Sequence, residues 1–502
     1  MTNLSDLFPA GAGKQVSFVA DGAISAAGKP VGLNADGTVI VIGASAPVSE
    51  TIPAGVAQTF NSSTTKWNSI AFDPNTAGEF VIAFLSAGVL KAVVGNLSGT
   101  TATFGTAVTV GNGNDTLSFS GLQYNPNVAK QFVIAFSDAN DSYKGKVALG
   151  TVSSTVITMQ ADVIYDTNNL GSGSRPSVAF DPNTSGNFVI IYKRAGAAGN
   201  GLVCTISGTT ITANSPTTFG TNAEHLDCAF DPNTANKVVA VYQGSPGDYG
   251  TAIIGTVSGT AISFGAINVF ESAATQYPSV DYNPATANHF AIAFKGSGQD
   301  GKAILGTVSG TTITYPDTAV TFGTDNEQNP NIAFDPNTAN KFVISYNHTG
   351  GTPYVDKLYV VTGTASSTTV ALDTPIEVFP TASPYNTTRF NPDSNSAGQF
   401  MTTFENGDDP SDVGTLRLGQ IASTQPKSPS DFIGISDAAI LDTASGNITI
   451  KGGIAATGLT SLTPGSDYYA QADGTISTVS TSPAVKIGRA MSATSINLEY
   501  QS

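Results

Sequence analysis

Seven side chains in this sequence are of the types that recognise a small polar ligand: Trp67, Tyr143, Arg175, Tyr249, Tyr277, Tyr354 and Tyr385. They fall in stretches whose length and content vary along the chain. Carboxylates stand in or near the same stretches, among them Asp138, Asp141, Asp248, Asp300, Asp408 and Asp409. Aromatic rings beside carboxylates and amides suit a sugar, because rings cover its apolar faces and polar groups take its hydroxyls. The same residues would also serve as ordinary solvated loops, and residue type alone leaves both readings open.

Catalytic chemistry is harder to assemble. A pair of acids for glycoside hydrolysis could be drawn from the many aspartates, but nothing singles out a pair. A sialidase needs an arginine cluster for its substrate's carboxylate, and Arg175, Arg194, Arg389, Arg417 and Arg489 are scattered over blades and tail. His225, His289 and His348 have no metal-ligand spacing. No Gly-Lys-Ser/Thr phosphate loop occurs, and no Ser-His-Asp arrangement rises above chance. The expectation is a non-enzymatic protein with no cofactor and no metal.

The elements that would carry these residues are repeats. An aromatic residue precedes Asp-Pro or Asn-Pro at Phe72, Tyr124, Phe180, Phe230, Tyr282, Phe334 and Phe390. The turn prolines are Pro74, Pro126, Pro182, Pro232, Pro284, Pro336 and Pro392, spaced 50 to 56 residues apart. Each copy reads as a strand, a polar turn and a second apolar strand, and a third-to-fourth turn such as Val308-Ser309-Gly310-Thr311 follows in several. Four antiparallel strands in about fifty residues is the pattern of a propeller blade. In the second strand, Phe80, Ile82 and Phe84 alternate with Val81 and Ala83, so one face is bulky and the other small. The Asp or Asn of the turn caps its own backbone and Pro presets φ. A calcium-loop reading lacks the alternating oxygen ligands.

The predicted fold is therefore all-β: a seven-bladed β-propeller over residues 50–422, with four-stranded antiparallel blades. Residues 52–60 resemble a fourth strand and would complete the seventh blade, which lacks one of its own. Residues 1–49 form a small β leader, 423–430 a Ser/Pro-rich linker and 431–502 a small β module that includes strands at 438–441 and 447–451. Asp473-Gly474-Thr475 echoes Asp36-Gly37-Thr38, so leader and tail are expected to pack as one attachment module. Within a blade, first-to-second and third-to-fourth turns share one face and are monotonous. The opposite face carries the varied loops, including 137–144, 244–250, 348–356 and 405–413, and is the predicted recognition face. In the first strands, the residue before the aromatic is usually Ala, but Gln123, Asp281 and Arg389 stand there in three blades. They are expected to line the central channel.

Composition narrows the classes further. The chain has 502 residues, a formal net charge of −16, 53 glycines and only 12 % charged residues. Such acidity argues against nucleic-acid binding, and no apolar run is long enough to span a bilayer. Residues 1–10 lack the basic start and apolar core of a signal peptide, so synthesis in a reducing cytoplasm is expected, with Cys204 and Cys228 as buried thiols.

Two resemblances add to this. The aromatic-Asp-Pro repeat is similar to blades of uncharacterised β-propellers. The leader, Val16-Ser17-Phe18-Val19-Ala20-Asp21-Gly22-Ala23-Ile24 and Gly28-Lys29-Pro30-Val31-Gly32-Leu33-Asn34-Ala35-Asp36-Gly37-Thr38-Val39, resembles segments of tailed-bacteriophage virion proteins. So does the tail, Phe432-Ile433-Gly434-Ile435, Leu462-Thr463-Pro464-Gly465-Ser466-Asp467-Tyr468-Tyr469 and Asp473-Gly474-Thr475. The resemblance implies a fibre, tail appendage or capsid decoration, assembled in the host cytoplasm. It would be partnered by other virion proteins, with a host-surface glycan as the ligand of an outward-facing propeller and homo-oligomerisation left open. The alternatives are a stand-alone propeller lectin and a polysaccharide-degrading glycosidase.

Overall fold

The computed structural model describes residues 15–34, 36–111, 116–171, 174–196, 198–350, 355–407, 412–480 and 484–499. The chain divides into two compact units, one of residues 50–421 and one that joins 1–49 to 422–502.

Alternation builds the larger unit. Phe80, Ile82 and Phe84 of Glu79–Ser86 pack with Met401, Leu416 and Leu418 of the last repeat. Val81 and Ala83, on the other face, receive Phe132, Ile134 and Phe136 of the next repeat. A large face thus meets a small one at each junction, which keeps the interior at native density. Glycine on the third strand makes room for the second-strand ring. Gly95, Gly150, Gly306, Gly363 and Gly419 lie directly across from Phe80, Phe132, Phe290, Phe342 and Phe400, and a Cβ at any of them would overlap the ring. The product is an all-β, propeller-like stack of repeated antiparallel sheets.

One repeat shows the pattern. Gln276–Tyr282 is innermost, His289–Lys295 pairs with it, and Gly301–Ser309 follows. The outer strand is split into Thr312–Thr314 and Val320–Gly323, both paired with Gly301–Ser309. The sequence predicts one continuous outer strand. Pro216, Pro316 and Pro375 fall in such breaks, where a residue without an N–H cannot continue the ladder.

The inner strands neighbour one another in chain order, and the last, Ala382–Phe390, lies against the first. Thr51–Phe72 serves two sheets: its first part pairs with Val413–Gln420 of the last repeat and its end with Glu79–Ser86. The expected contribution of 52–60 to the last repeat is thus present, and it leaves no free edge there.

The Asp/Asn-Pro turns do more than cap themselves. Asp73, Asp181, Asp231 and Asp335 each accept, through Oδ1, the backbone N–H two residues on, at 2.8 to 2.9 Å. The second oxygen reaches the next repeat: Asp73 accepts from Lys130 N at 2.8 Å, Asp181 from Asn236 N at 2.9 Å and Asp231 from Asn288 N at 3.1 Å. Those three donors lie at φ of 64°, 65° and 63°. Each of these three turns therefore ties two repeats through a buried carboxylate, while the Asp335 Oδ2 has no hydrogen-bond partner among the described residues.

The terminal unit contains one sheet topology twice. Gln15–Val19, Pro30–Leu33, Val39–Val41, Phe432–Ser436 and Ser445–Ile450 form one sheet. Ile454–Ala455, Asp467–Ala470, Ile476–Ser477, Val485–Ser492 and Ser495–Leu498 form the other. Numbered within each set, both run first-fifth-fourth-second-third. In the first sheet the larger unit is inserted between the third and fourth strands. Corresponding hydrogen bonds match: Gly28 N to Ser436 O and Ser436 N to Lys29 O at 2.8 and 2.9 Å, Gly465 N to Ala490 O and Ala490 N to Ser466 O at the same two distances. Leader and tail do share a sheet, and the Asp-Gly-Thr echo marks the duplication: Thr38 N donates to Asp36 Oδ1 at 3.0 Å and Thr475 N to Asp473 Oδ1 at 2.9 Å.

Two expectations need correction. Residues 423–430 are no free linker: Ser423–Pro426 pairs with Ser45–Val48, and Pro429–Asp431 is a 3-10 turn. Chain leaving the first sheet must return to it, so the outgoing and incoming segments run side by side. Residues 438–441 supply only a single bridge, Ile440 to Ile24.

Candidate functional site

Five residues before each inner-strand aromatic, the backbone departs from the ladder. Register slips between Lys66 and Ser69, Glu224 and Asp227, Gln276 and Ser279, and Gln328 and Asn331. The extra residues leave Trp67, His225, Tyr277 and Asn329 in left-handed conformations, at φ of 47°, 51°, 50° and 45°. Such bulges re-aim a side chain, and a non-glycine residue held at positive φ costs of order 1–3 kcal/mol, a strain that clusters at functional sites. Arg175 and Tyr385 hold the same place in their repeats, five residues before Phe180 and Phe390. Phe119 holds it in the second repeat, with its side chain outside the described residues.

These side chains converge on a cleft of about 130 Å³ at the mouth of the central channel, lined by Trp67, Arg175, His225, Tyr277, Asn329 and Tyr385. Trp67 and Tyr385 meet edge to face, with ring centroids 5.8 Å apart. The Arg175 guanidinium lies over both rings, 5.4 Å from the Trp67 centroid and 5.1 Å from that of Tyr385. His225 and Tyr277 form a second pair, with centroids 4.2 Å apart. The loops beneath are pinned: Trp67 N donates to Glu405 Oε1 at 3.0 Å, Asn68 Nδ2 to Tyr385 O at 3.2 Å and Thr387 Oγ1 to Asn68 O at 2.9 Å.

The floor is a polar ring that binds the repeats together. Asp227 accepts from Ser177 Oγ and Cys228 N on one oxygen, both at 2.9 Å, and from Ser279 Oγ and Val280 N on the other, at 3.0 and 3.1 Å. Asn331 Oδ1 accepts from Thr388 N and from Arg389 Nη1, both at 2.9 Å. Farther along the channel, Gln123 Oε1 accepts from Phe180 N at 2.6 Å and Asp281 Oδ2 from Phe334 N at 2.8 Å. Gln123, Asp281 and Arg389 are thus channel residues engaged in structural hydrogen bonds.

Burial pushes the Asp281 carboxyl up to about 6, against the pull of the Phe334 N–H and the Arg389 charge. Burial also lowers the His225 imidazole to about 4, with Arg175 and Lys193 adding repulsion. His225 is therefore neutral at pH 7.

Of the seven residues singled out from sequence, Trp67, Arg175, Tyr277 and Tyr385 come together here. Tyr143 sits in the turn after Ala139–Asp141, its N–H donating to Asp138 O at 2.8 Å, and Tyr249 opens the strand Tyr249–Ser258. Neither lines the cleft. Tyr354, Asp408 and Asp409 lie outside the described residues. Several of the carboxylates expected to take hydroxyls are committed to lysines: Asp138 to Lys146 at 2.7 Å, Asp141 to Lys144 at 2.8 Å and Asp300 to Lys302 at 3.3 Å. His225 and Asn329 join the cleft although residue type did not nominate them; the signal available was their shared offset from the repeat aromatic. Among the described residues, no three His, Cys, Asp or Glu side chains are grouped to hold a metal.

No family model and no curated protein matches the sequence. Among solved structures, the Chaetomium thermophilum Sqt1 bound to the N-terminus of ribosomal protein L10 is similar at 13 % identity and a TM-score of 0.44, over 70 % of this chain and 84 % of that one. The Aleuria aurantia lectin, a six-bladed β-propeller, is similar at 11 % identity and a TM-score of 0.41, over 65 % of this chain and all of that one. AofleA from Arthrobotrys oligospora gives 8 % and 0.39, over 70 % and 96 %. These likenesses concern strand architecture, and what each relative does remains its own.

Proposed function

We propose that the larger unit is a seven-bladed β-propeller and that the protein is a non-enzymatic glycan-binding protein whose site is the cleft at the channel mouth. One observation carries this reading: a single position of the repeat, whose residue changes from each copy to the next, delivers Trp67, Tyr385, Tyr277, His225 and Arg175 to one concave place. Rings in a cleft with fixed polar neighbours give the mixed apolar and hydrogen-bonding surface a sugar requires. A glycan array probed with the whole protein tests it. Binding to a defined set of glycans that is lost in Tyr385→Ala is the expected result. An array with no signal for the wild-type protein contradicts the reading.

The second reading places this glycan-binding propeller on a phage particle, attached through the terminal unit. It is favoured by the terminal segments that resemble virion proteins and by their folding as a unit of their own. Mass spectrometry and density on purified particles would find the chain at stoichiometric copy number. Its absence from particles would contradict this reading and leave the glycan site untouched.

A further inference from the structure

We propose that the ligand of the cleft is an acidic sugar, its carboxylate held by Arg175 and a hydroxyl donated to Asn68 Oδ1. This rests on the glycan-binding reading above and names the class of sugar.

Arg175 lacks a hydrogen-bonding partner among the described residues. Its guanidinium faces two rings, but no hydrogen bond or ion pair engages it among the described residues. A contact with ring faces supplies no hydrogen-bond acceptor in line with the guanidinium's N–H donors, so those donors stay unclaimed. A planar fork so presented fits a carboxylate. Arg389, the second arginine of the cleft, is by contrast committed to Asn331 Oδ1 and Thr388 O at 2.9 and 2.7 Å.

Among the described residues, the cleft offers Arg175 no internal anion as a partner. Asp227 already accepts four hydrogen bonds. Glu405 takes the Trp67 N–H at 3.0 Å.

Asn68 supplies the second, independent observation. It lines the cleft, is 6 % exposed, and its Oδ1 has no hydrogen-bond partner. Its amide orientation is fixed, because Nδ2 donates to Tyr385 O at 3.2 Å. A buried acceptor left open is destabilising, and a ligand hydroxyl would satisfy it. Donors for a carboxylate, an acceptor for a hydroxyl and rings to cover a sugar face together describe a uronate or a sialic-type sugar.

Trp67 is the only tryptophan, so its emission reports the site directly. The test titrates the wild-type protein with uronate and sialyl oligosaccharides and, in parallel, with the same oligosaccharides after reduction of the carboxyl to a hydroxymethyl group. The expected result is at least about tenfold tighter binding of an acidic form, a preference erased in Arg175→Gln and partly kept in Arg175→Lys. Because the ligand pair is compared on unaltered protein, a variant that fails to fold does not decide the outcome. Equal or tighter binding of the reduced forms overturns the carboxylate while leaving the glycan site standing. Binding of neither series overturns both.

Discussion

The two ends of the same inner strands teach opposite lessons. At one end, Asp or Asn before Pro recurs in every repeat, and in Asp73, Asp181 and Asp231 both carboxylate oxygens are claimed by backbone N–H groups, one in its own turn and one in the next repeat. At the other end, five residues before the aromatic, no two successive repeats place the same residue, and at Trp67, His225, Tyr277 and Asn329 the backbone bulges into positive φ to present it. The first end holds the repeats together, and in those three turns both carboxylate oxygens are engaged; Asp335, whose buried Oδ2 has no hydrogen-bond partner among the described residues, is the exception. The second carries rings, an unpaired guanidinium and an open amide oxygen. Invariance within the chain follows the bonds that stability needs, and variation collects where a strained bulge frees a side chain from that duty.

The comparison breaks most sharply at the uniform end. Asp231→Ala takes the carboxylate acceptors from two backbone N–H groups at a residue 1 % exposed and should cost about 3 kcal/mol, read by urea unfolding, with ligand affinity unchanged in the surviving fold. Next, Gly306→Ala drives a Cβ into the Phe290 ring; a loss of about 2 kcal/mol is expected, and unaltered stability would refute the ring-over-glycine account. At the varied end, Tyr385→Ala should move stability by no more than about 1 kcal/mol while binding falls below detection. A large loss of stability there would make the two ends alike.

The smallest effect is in pH dependence. His225 has a folded value of about 4, below the usual 6.5, so the unfolded chain binds more protons between these values. The histidine's contribution is complete above pH 6.5 and is lost as pH falls toward 4. Asp281 works the other way: its value of about 6 lies above the usual 3.8, so its contribution is present in acid and is lost as pH rises through 6. His225→Gln should therefore flatten the decline of melting temperature between pH 6.5 and 4, and Asp281→Asn should steepen it. Identical profiles for both variants and the wild type would contradict the burial of these two groups.

The repeat, its strands and the large-on-small packing were legible because buried periodicity is local: Phe80, Val81, Ile82, Ala83 and Phe84 declare their faces by alternation alone. The turn aspartates announced their caps, but their second bond, to Lys130 or Asn236, spans two repeats and leaves no mark in a single copy. The site was half legible. Trp67, Arg175, Tyr277 and Tyr385 were found as ligand-type residues, whereas His225 and Asn329 share no chemistry with them and only a common offset. Tyr143 and Tyr249 were drawn in by loop composition, which does not tell a channel mouth from an outer loop. The duplication in the terminal unit was visible only as the Asp-Gly-Thr echo, because the larger unit splits the first copy.

The central claim is that the channel mouth on the varied face binds a sugar. The most direct measurement reads Trp67 emission during titration of a glycan panel into the wild-type protein, Asp231→Asn and Tyr385→Ala. The account predicts a saturable change with equal affinity in the first two and none in the third. Glycan binding, seen by calorimetry, that leaves Trp67 emission constant and survives Tyr385→Ala would contradict it.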